Sequence, residues 1–218
     1  MTKMKAQIKI LKPQIPEMLD DLDILNKSIE DEDLFEEGTV SDCCIENQTA
    51  DKVIFENVIF KNVVFQKVSF KKIELIDVKF INCDLSNMNL GGAIIHRVEF
   101  LDCKMIGARL DDATFRDVRF KNCNLYYSNL GFSNYKQVIF EKCLLRNAEF
   151  QSVKLLKVGF LENDMKLIQM SGTKLKDIDL SSSEIEGMIV GIEELKGAIV
   201  SNMQALELAG LLGVIIKE

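Results

Sequence analysis

Apolar residues recur along this chain with a strict period of five. Counting from Phe35 through Phe55, Phe60, Phe65 and Phe70 to Phe160, Leu180 and Val200, every fifth residue is apolar. At 47% apolar composition, chance gives thirty-four such positions in a row about once in 10¹¹ trials. Neither the 3.6-residue period of a helix nor the two-residue period of a plain strand produces this pattern. A second apolar position lies two residues before each of the first. It holds smaller side chains, among them Val53, Val58, Val63, Val68, Ile73, Val78, Cys83, Ala93, Val98 and Ala108. The remaining three positions are mostly Lys, Asn, Asp, Glu and Gln. Two same-side residues at i−2 and i make one short strand, and the rest of each unit makes a corner. Asn, Asp and Gly fit such corners, as in Ile81-Asn82-Cys83-Asp84-Leu85 and Asn89-Leu90-Gly91-Gly92-Ala93.

Residue identity sets the number of sides, because a solenoid stacks like on like. At a step of twenty, Phe60, Phe80, Phe100, Phe120, Phe140 and Phe160 form one series, and Val58, Val78, Val98, Val118, Val138 and Val158 another. Cys83, Cys103, Cys123 and Cys143 form a third, with Cys43 in phase. Four five-residue sides therefore close one coil. The expected fold is an all-β solenoid, a quadrilateral β-helix of about eight coils with a C-terminal helix. At about 4.8 Å per coil the rod is roughly 40 Å long. Lys79, Glu99 and Arg119 alternate in sign on one outward series. The units Gln48/Ala50 and Asn163/Met165 are the weakest matches to the pattern.

Both ends of a solenoid expose strand edges and core, and both need covers. Residues 1–32 are read as an N-terminal cap, with a strand over Gln7–Ile10 and a short helix over Pro16–Leu25 that starts with Pro at N1. Outward Ile54, Ile59 and Val64 suggest that this segment folds back over the early coils. An acidic docking arm is the alternative reading. Residues 33–201 form the repeat body. In residues 202–218, Ser201-Asn202 caps a helix over Met203–Leu212, Gly213 stops it, and Val214-Ile215-Ile216 reads as a strand. The tail is more apolar than one helix face requires, so Leu206, Leu208, Leu211, Leu212, Val214, Ile215 and Ile216 are assigned to an interface with a second copy.

The net charge of −7 is uneven. Residues 1–16 contribute +4, residues 17–51 −12, residues 52–161 +6 and residues 162–218 −5. Acid therefore gathers at the ends of the rod. Lysines interrupt the apolar runs of the N-terminus, so a signal peptide is not expected there, and a cytoplasmic location is. Inward positions are almost wholly apolar, so no pocket for catalysis and no cofactor or metal site is expected. His96, the only histidine, sits outward beside Arg97, and no Gly-x-Ser-x-Gly context exists. The cysteine column lacks Cys-x-x-Cys spacing and reads as packing, which leaves outward Cys44 as the one candidate reactive thiol. Tyr126, Tyr127 and Phe132 place three aromatics outward within seven residues, near Ile106 and Arg146. They are either a lateral stack or a partner-binding patch. Leu156, Leu161 and Leu167 are a second exposed group. Glu36, Glu37, Asp42 and Glu46 complete the candidate partner surface.

Units such as Cys83-Asp84-Leu85 and Ala113-Thr114-Phe115 resemble the pentapeptide-repeat family over residues 33–203. That resemblance implies a right-handed coil. The tail Gln204-Ala205 through Leu212-Gly213-Val214-x-Ile216 resembles that of the Qnr and MfpA group, which implies a homodimer through the C-terminus. It also implies a DNA-mimicking rod that binds DNA gyrase or topoisomerase IV and counters quinolones. A scaffold for another protein partner is the competing class. Direct nucleic-acid binding is disfavoured by the overall negative charge.

Overall fold

A computed structural model describes residues 8–24 and 28–215. Seven eight-residue strands, each bent at a left-handed corner, form one wall of two adjoining sides, a single sheet: Leu34–Ser41, Ile54–Lys61, Glu74–Ile81, Ile94–Leu101, Thr114–Lys121, Asn134–Glu141 and Lys154–Leu161. Each pairs in parallel with the next at a step of twenty residues, so that Phe120 faces Phe140 and Val118 faces Val138. On the other sides Cys44–Glu46 pairs with Val64–Gln66, and Thr49–Asp51 with Ser69–Lys71. Those sides then continue as single bridges such as Asp84↔Lys104 and Asn89↔Arg109, as far as Asp164↔Glu184 on one and Gln169↔Ile189 on the other. About seven turns are built this way, and a looser last turn is held by bonds such as Leu180 N–H to Ile199 O at 2.9 Å.

The corners explain the five-residue period in backbone terms. From Glu32 to Asp177 every fifth residue adopts a left-handed conformation, and one column of these corners holds Asp42 (φ 53°), Asn62 (φ 55°), Asn82 (φ 52°), Asp102 (φ 56°) and Asn122 (φ 54°). Asn and Asp enter this region at lower cost than other non-glycine residues. Their side chains also bond from coil to coil: Asn62 donates to Asp42 at 2.7 Å, Asn82 to Asn62 at 2.8 Å and Asn122 to Asp102 at 2.8 Å.

Inside, the coil spacing dictates the aromatic geometry. The rings from Phe60 to Phe160 stack with centroids 4.8 to 5.3 Å apart and planes within 8° of parallel. The thiols beside them each approach a carbonyl 23 residues earlier. Cys83 Sγ lies 3.4 Å from Phe60 O, and Cys123 Sγ 3.3 Å from Phe100 O. Asn163 continues this column. Its amide donates to Phe140 O at 3.0 Å and its Oδ1 accepts from Cys143 N–H at 2.8 Å. Thr173 uses the same two partners in its own column, Phe150 O and Val153 N–H. An inward polar side chain is thus tolerated because it satisfies itself between coils.

The N-terminal segment differs from expectation. No strand forms at Ile8–Ile10 and no helix over Pro16–Ile24, while residue 7 and Leu25 lie outside the described residues. Instead residues 8–22 run lengthwise over the wall as an extended arm. Ile8 packs at Gly159 near one end, and Asp20-Asp21 pairs with Gly38-Thr39 at the other. Helix propensity yields here to a strand pairing and to a hole in the wall. Gly38 occupies the column of Val58 and Val78, and Leu22 fills the space where its side chain would be. Ile24 and Ile29 are buried against the first coil, where Gln48 Oε1 accepts from Ile29 N–H at 3.0 Å. The cap therefore folds back over nearly the whole rod rather than over the early coils.

At the other end, Ser201 caps a helix over Asn202–Ala209, and Gln204 completes a capping box. Gln204 Nε2 also donates to Leu180 O at 2.8 Å and Ser183 O at 2.6 Å, which ties the helix to the last turn. A 3₁₀ turn over Gly210–Leu212 ends at left-handed Gly213. Val214 and Ile215 are not a strand, and Ile216 lies outside the described residues.

Candidate interaction surfaces

Most corners carry Asn, Asp, Gly, Ser or a long charged residue, but Tyr127 (φ 59°), Phe132 (φ 57°) and Leu167 (φ 57°) do not. A left-handed non-glycine residue costs about 1–2 kcal/mol. The column of Tyr127 and Leu167 otherwise uses Asn47, Lys67, Asn87, Gly107, Asn147 and Gly187. Tyr127, Phe132 and Leu167 are 65%, 53% and 49% exposed, so they bury little apolar surface in return. Tyr127 and Phe132 mark the two edges of a single side of the rod. Between them Ser128 and Leu130 point inward, Gly131 is buried and only Asn129 presents a half-buried polar side chain. The result is a low polar floor, one side wide, between two aromatic posts. Tyr126 is half-buried and meets Tyr127 edge-on, with centroids 6.4 Å apart. Its hydroxyl lies 3.5 Å from Asp164, which Arg146 pairs at 3.3 Å. Tyr126 therefore buttresses the exposed pair and offers little of its own ring. Leu156 and Leu161 are exposed, but on two other sides of the rod, so they do not join Leu167 in one patch.

Glu36, Glu37, Asp42 and Glu46 are all exposed. Their register places them around three sides of the first coil, so they form a collar and not a stripe along the rod. Along the middle, charges pair between coils: Lys79 with Glu99 at 3.9 Å and Lys104 with Asp84 at 3.0 Å. Arg119 does not continue the Lys79–Glu99 series and turns to Glu141, whose carboxyl it holds below the usual range.

Leu206, Leu211, Leu212, Val214 and Ile215 leave 40% to 94% of their surfaces exposed on the C-terminal tail. Leu208 differs, being half-buried against the core, and so belongs to the seal on the last coil. Burial, and then the charges of Arg97 and Arg116, lower the His96 imidazole below its usual range. All six cysteines are free. Burial and then Glu46 push the Cys44 thiol up, which makes it a poorer nucleophile than its outward position suggests. Among the described residues, no cluster of three or more His, Cys, Asp or Glu is placed to hold a metal ion. In the core, a void of about 10 Å³ between Phe55, Phe60, Phe65 and Phe80 is at the margin of what one water needs.

One set of residues was not singled out from the sequence, namely those beneath the arm. Asp77 and Asp117 are corner carboxylates only 4% and 1% exposed. Asp77 is paired with Arg97, and Asp117 lies 3.7 Å from Arg116. Gly38 interrupts a column that is otherwise valine from Val58 to Val158, and Gly159 follows Ile139 in a mixed outward column. They were the signal available.

Residues 53–130 match the family described as a pentapeptide repeat region. The same five-residue unit runs on either side of that stretch, so the whole rod resembles the repeat that the family describes. No curated protein matches the sequence. Among solved structures, a trypsin-treated variant of QnrB1, a plasmid-mediated fluoroquinolone resistance protein, is similar at 19% identity. That match covers 87% of this chain and 100% of the other, with a TM-score of 0.36. HetL, involved in heterocyst differentiation regulation in Nostoc sp. strain PCC 7120, is 14% identical over 79% of this chain and 91% of its own, with a TM-score of 0.34. Both are likenesses of repeat architecture.

No helix among the described residues is long and apolar enough to cross a membrane.

Proposed function

We propose that this chain is a non-catalytic binding rod that grips a protein partner between the aromatic corners Tyr127 and Phe132. The observation that carries this reading is the conflict at those two corners. Large apolar side chains hold a backbone conformation that disfavours them while remaining in solvent, and such strain gathers at functional positions. Aromatic residues are also the commonest anchors of protein interfaces. The test is affinity capture of partners with the wild-type rod and with Tyr127→Asn/Phe132→Asn. Loss of specific partners from the double variant, with melting temperature kept or raised, supports the reading. An unchanged partner set sinks it.

A narrower reading takes the partner to be DNA gyrase or topoisomerase IV, with the rod mimicking duplex DNA and countering quinolones. The exposed collar of Glu36, Glu37, Asp42 and Glu46 supports it, together with a C-terminal helix whose outer apolar face suits a second copy and would double the rod. A supercoiling assay with and without ciprofloxacin decides this reading. Neither inhibition nor protection at micromolar protein removes it and leaves the scaffold reading in place. The dimer is tested by light scattering on the full chain against one ending at Asn202. A monomer in both cases overturns it.

A further inference from the structure

The arm is held as a ligand is held. Its backbone, rather than a continuous strand ladder, makes the polar contacts. Leu11 N–H donates to Asp117 Oδ1 at 3.1 Å, and Gln14 N–H to Asp77 Oδ1 at 2.8 Å. Gln137 Nε2 donates to Lys9 O at 3.0 Å and also reaches Asp117 at 3.0 Å. Arg97 Nε donates to Asp77 at 2.6 Å and fixes that carboxylate from the side. The corner column Asp77, Arg97, Asp117, Gln137 thus presents two acceptors and one donor along the rod axis, spaced to read the main chain of an extended peptide.

The side chains of the arm complete the picture. Ile8, Ile10, Pro13 and Ile15 are half-buried, while Lys9, Leu11, Lys12 and Gln14 are exposed. No residue from 8 to 19 is fully buried. At one end the wall is carved for its occupant. The outward column runs Ile59, Lys79, Glu99, Arg119, Ile139 and then Gly159, and a Cβ on Gly159 would stand 3.1 Å from Ile8 Cδ1. With the arm in place these two corner carboxylates are buried, Asp77 against Arg97 and Asp117 beside Arg116 and Gln137, and each also accepts a main-chain N–H of the arm. The arm has only shallow contacts in return. The site is therefore better defined than its occupant is anchored.

We infer that this corner column and the side beside it are a peptide-binding track, occupied in cis by residues 8–15, which takes in trans an extended segment of a partner protein. The track selects main-chain N–H groups facing Asp117 and Asp77, with branched aliphatic residues at alternate positions and a first one that fits over Gly159. The arm acts as its resident competitor, at an effective concentration on the order of 1 mM for a short tether.

The test uses a labelled peptide of residues 8–19 and a chain beginning at Asp20, which retains the Asp20-Asp21 pairing and Leu22. The shortened chain is expected to bind the peptide, and the full chain to bind it at least tenfold more weakly. Gly159→Val extends the aliphatic column next to Ile139, where its Cβ meets Cγ1 at an ordinary 3.7 Å, but it occupies the seat of Ile8. In the shortened chain it is expected to weaken binding tenfold or more without lowering the melting temperature. A folded shortened chain that ignores the peptide, or that binds a scrambled peptide or the Gly159→Val variant equally well, overturns the proposal. If the shortened chain does not fold, amide exchange at Leu11 and Gln14 of the full chain is read instead, with free peptide at about 1 mM. Accelerated exchange supports displacement of the arm, and unchanged exchange overturns it. A full-length dimer that is lost when the arm is removed would show arm exchange between copies and would overturn the partner reading.

Discussion

Leu22 stands where the side chain of Gly38 would be, so one residue of the arm completes the inner wall of the first coil. The columns above supply valine at this position, in Val58, Val78 and Val98. Gly38→Val would restore the repeat and evict Leu22. Expelling a packed side chain costs about 1–3 kcal/mol. We expect a stability loss of that size in denaturant titration, together with loss of exchange protection at Leu22 N–H, which donates to Thr39 O at 2.9 Å. A neutral or stabilising Gly38→Val would show that Leu22 contributes nothing.

Asn163 tests how polar groups live in the core. Asn163→Ala leaves Phe140 O and Cys143 N–H without their partner and should cost about 1–3 kcal/mol. Asn163→Cys continues the thiol column and should recover much of that loss, because a thiol in this column reaches the carbonyl 23 residues earlier, as Cys143 reaches Phe120 O. Equal unfolding midpoints for the two variants would refute the argument.

Leu167→Asn places in a left-handed corner the residue that already serves at Asn87 and Asn147 of the same column. Relief of backbone strain should raise stability by about 0.5–1 kcal/mol. The comparison that isolates the effect is Leu161→Asn, another exposed leucine, whose backbone is not left-handed. That change should give no gain in thermal unfolding.

Glu141 gives the pH dependence a sign. The Arg119 guanidinium, with some help from Lys121, holds its carboxyl below the usual range, against a smaller opposing effect of burial. A depressed folded-state pKa contributes stability above the unfolded value near about 4.3, and that contribution fades as pH falls through the folded value. The melting temperature of Glu141→Gln should therefore lie below wild type at pH 7 and converge on it under acid. A constant gap would assign the effect to packing.

The coils were legible because one rule repeats. Phe60 to Phe160 fall in line only at a step of twenty, and the structure stacks those rings face to face. The arm was not legible, because an extended segment has no period of its own. Pro16 and the acids after it read as a helix start, yet Asp20-Asp21 found a strand partner at Gly38-Thr39 that no local signal announces. The trace was in the host, at Gly38, which breaks the valine column, and at Gly159, which leaves a gap after Ile139. The aromatic corners were half legible. Their outward direction followed from register, whereas their left-handed backbone needed coordinates, since Asn at the same position would look equally regular in sequence.

The arm also measures. From Gly38 to Gly159 it crosses six coils, about 29 Å at the usual strand spacing. A repeat protein can gain or lose a twenty-residue coil with little harm to its core, because each coil meets only its neighbours. Here such a change would slide Gly159 away from Ile8, and Asp117 and Asp77 out of step with Leu11 and Gln14. The N-terminal segment thus works as a gauge that ties the rod to one length, in a fold that otherwise leaves length free.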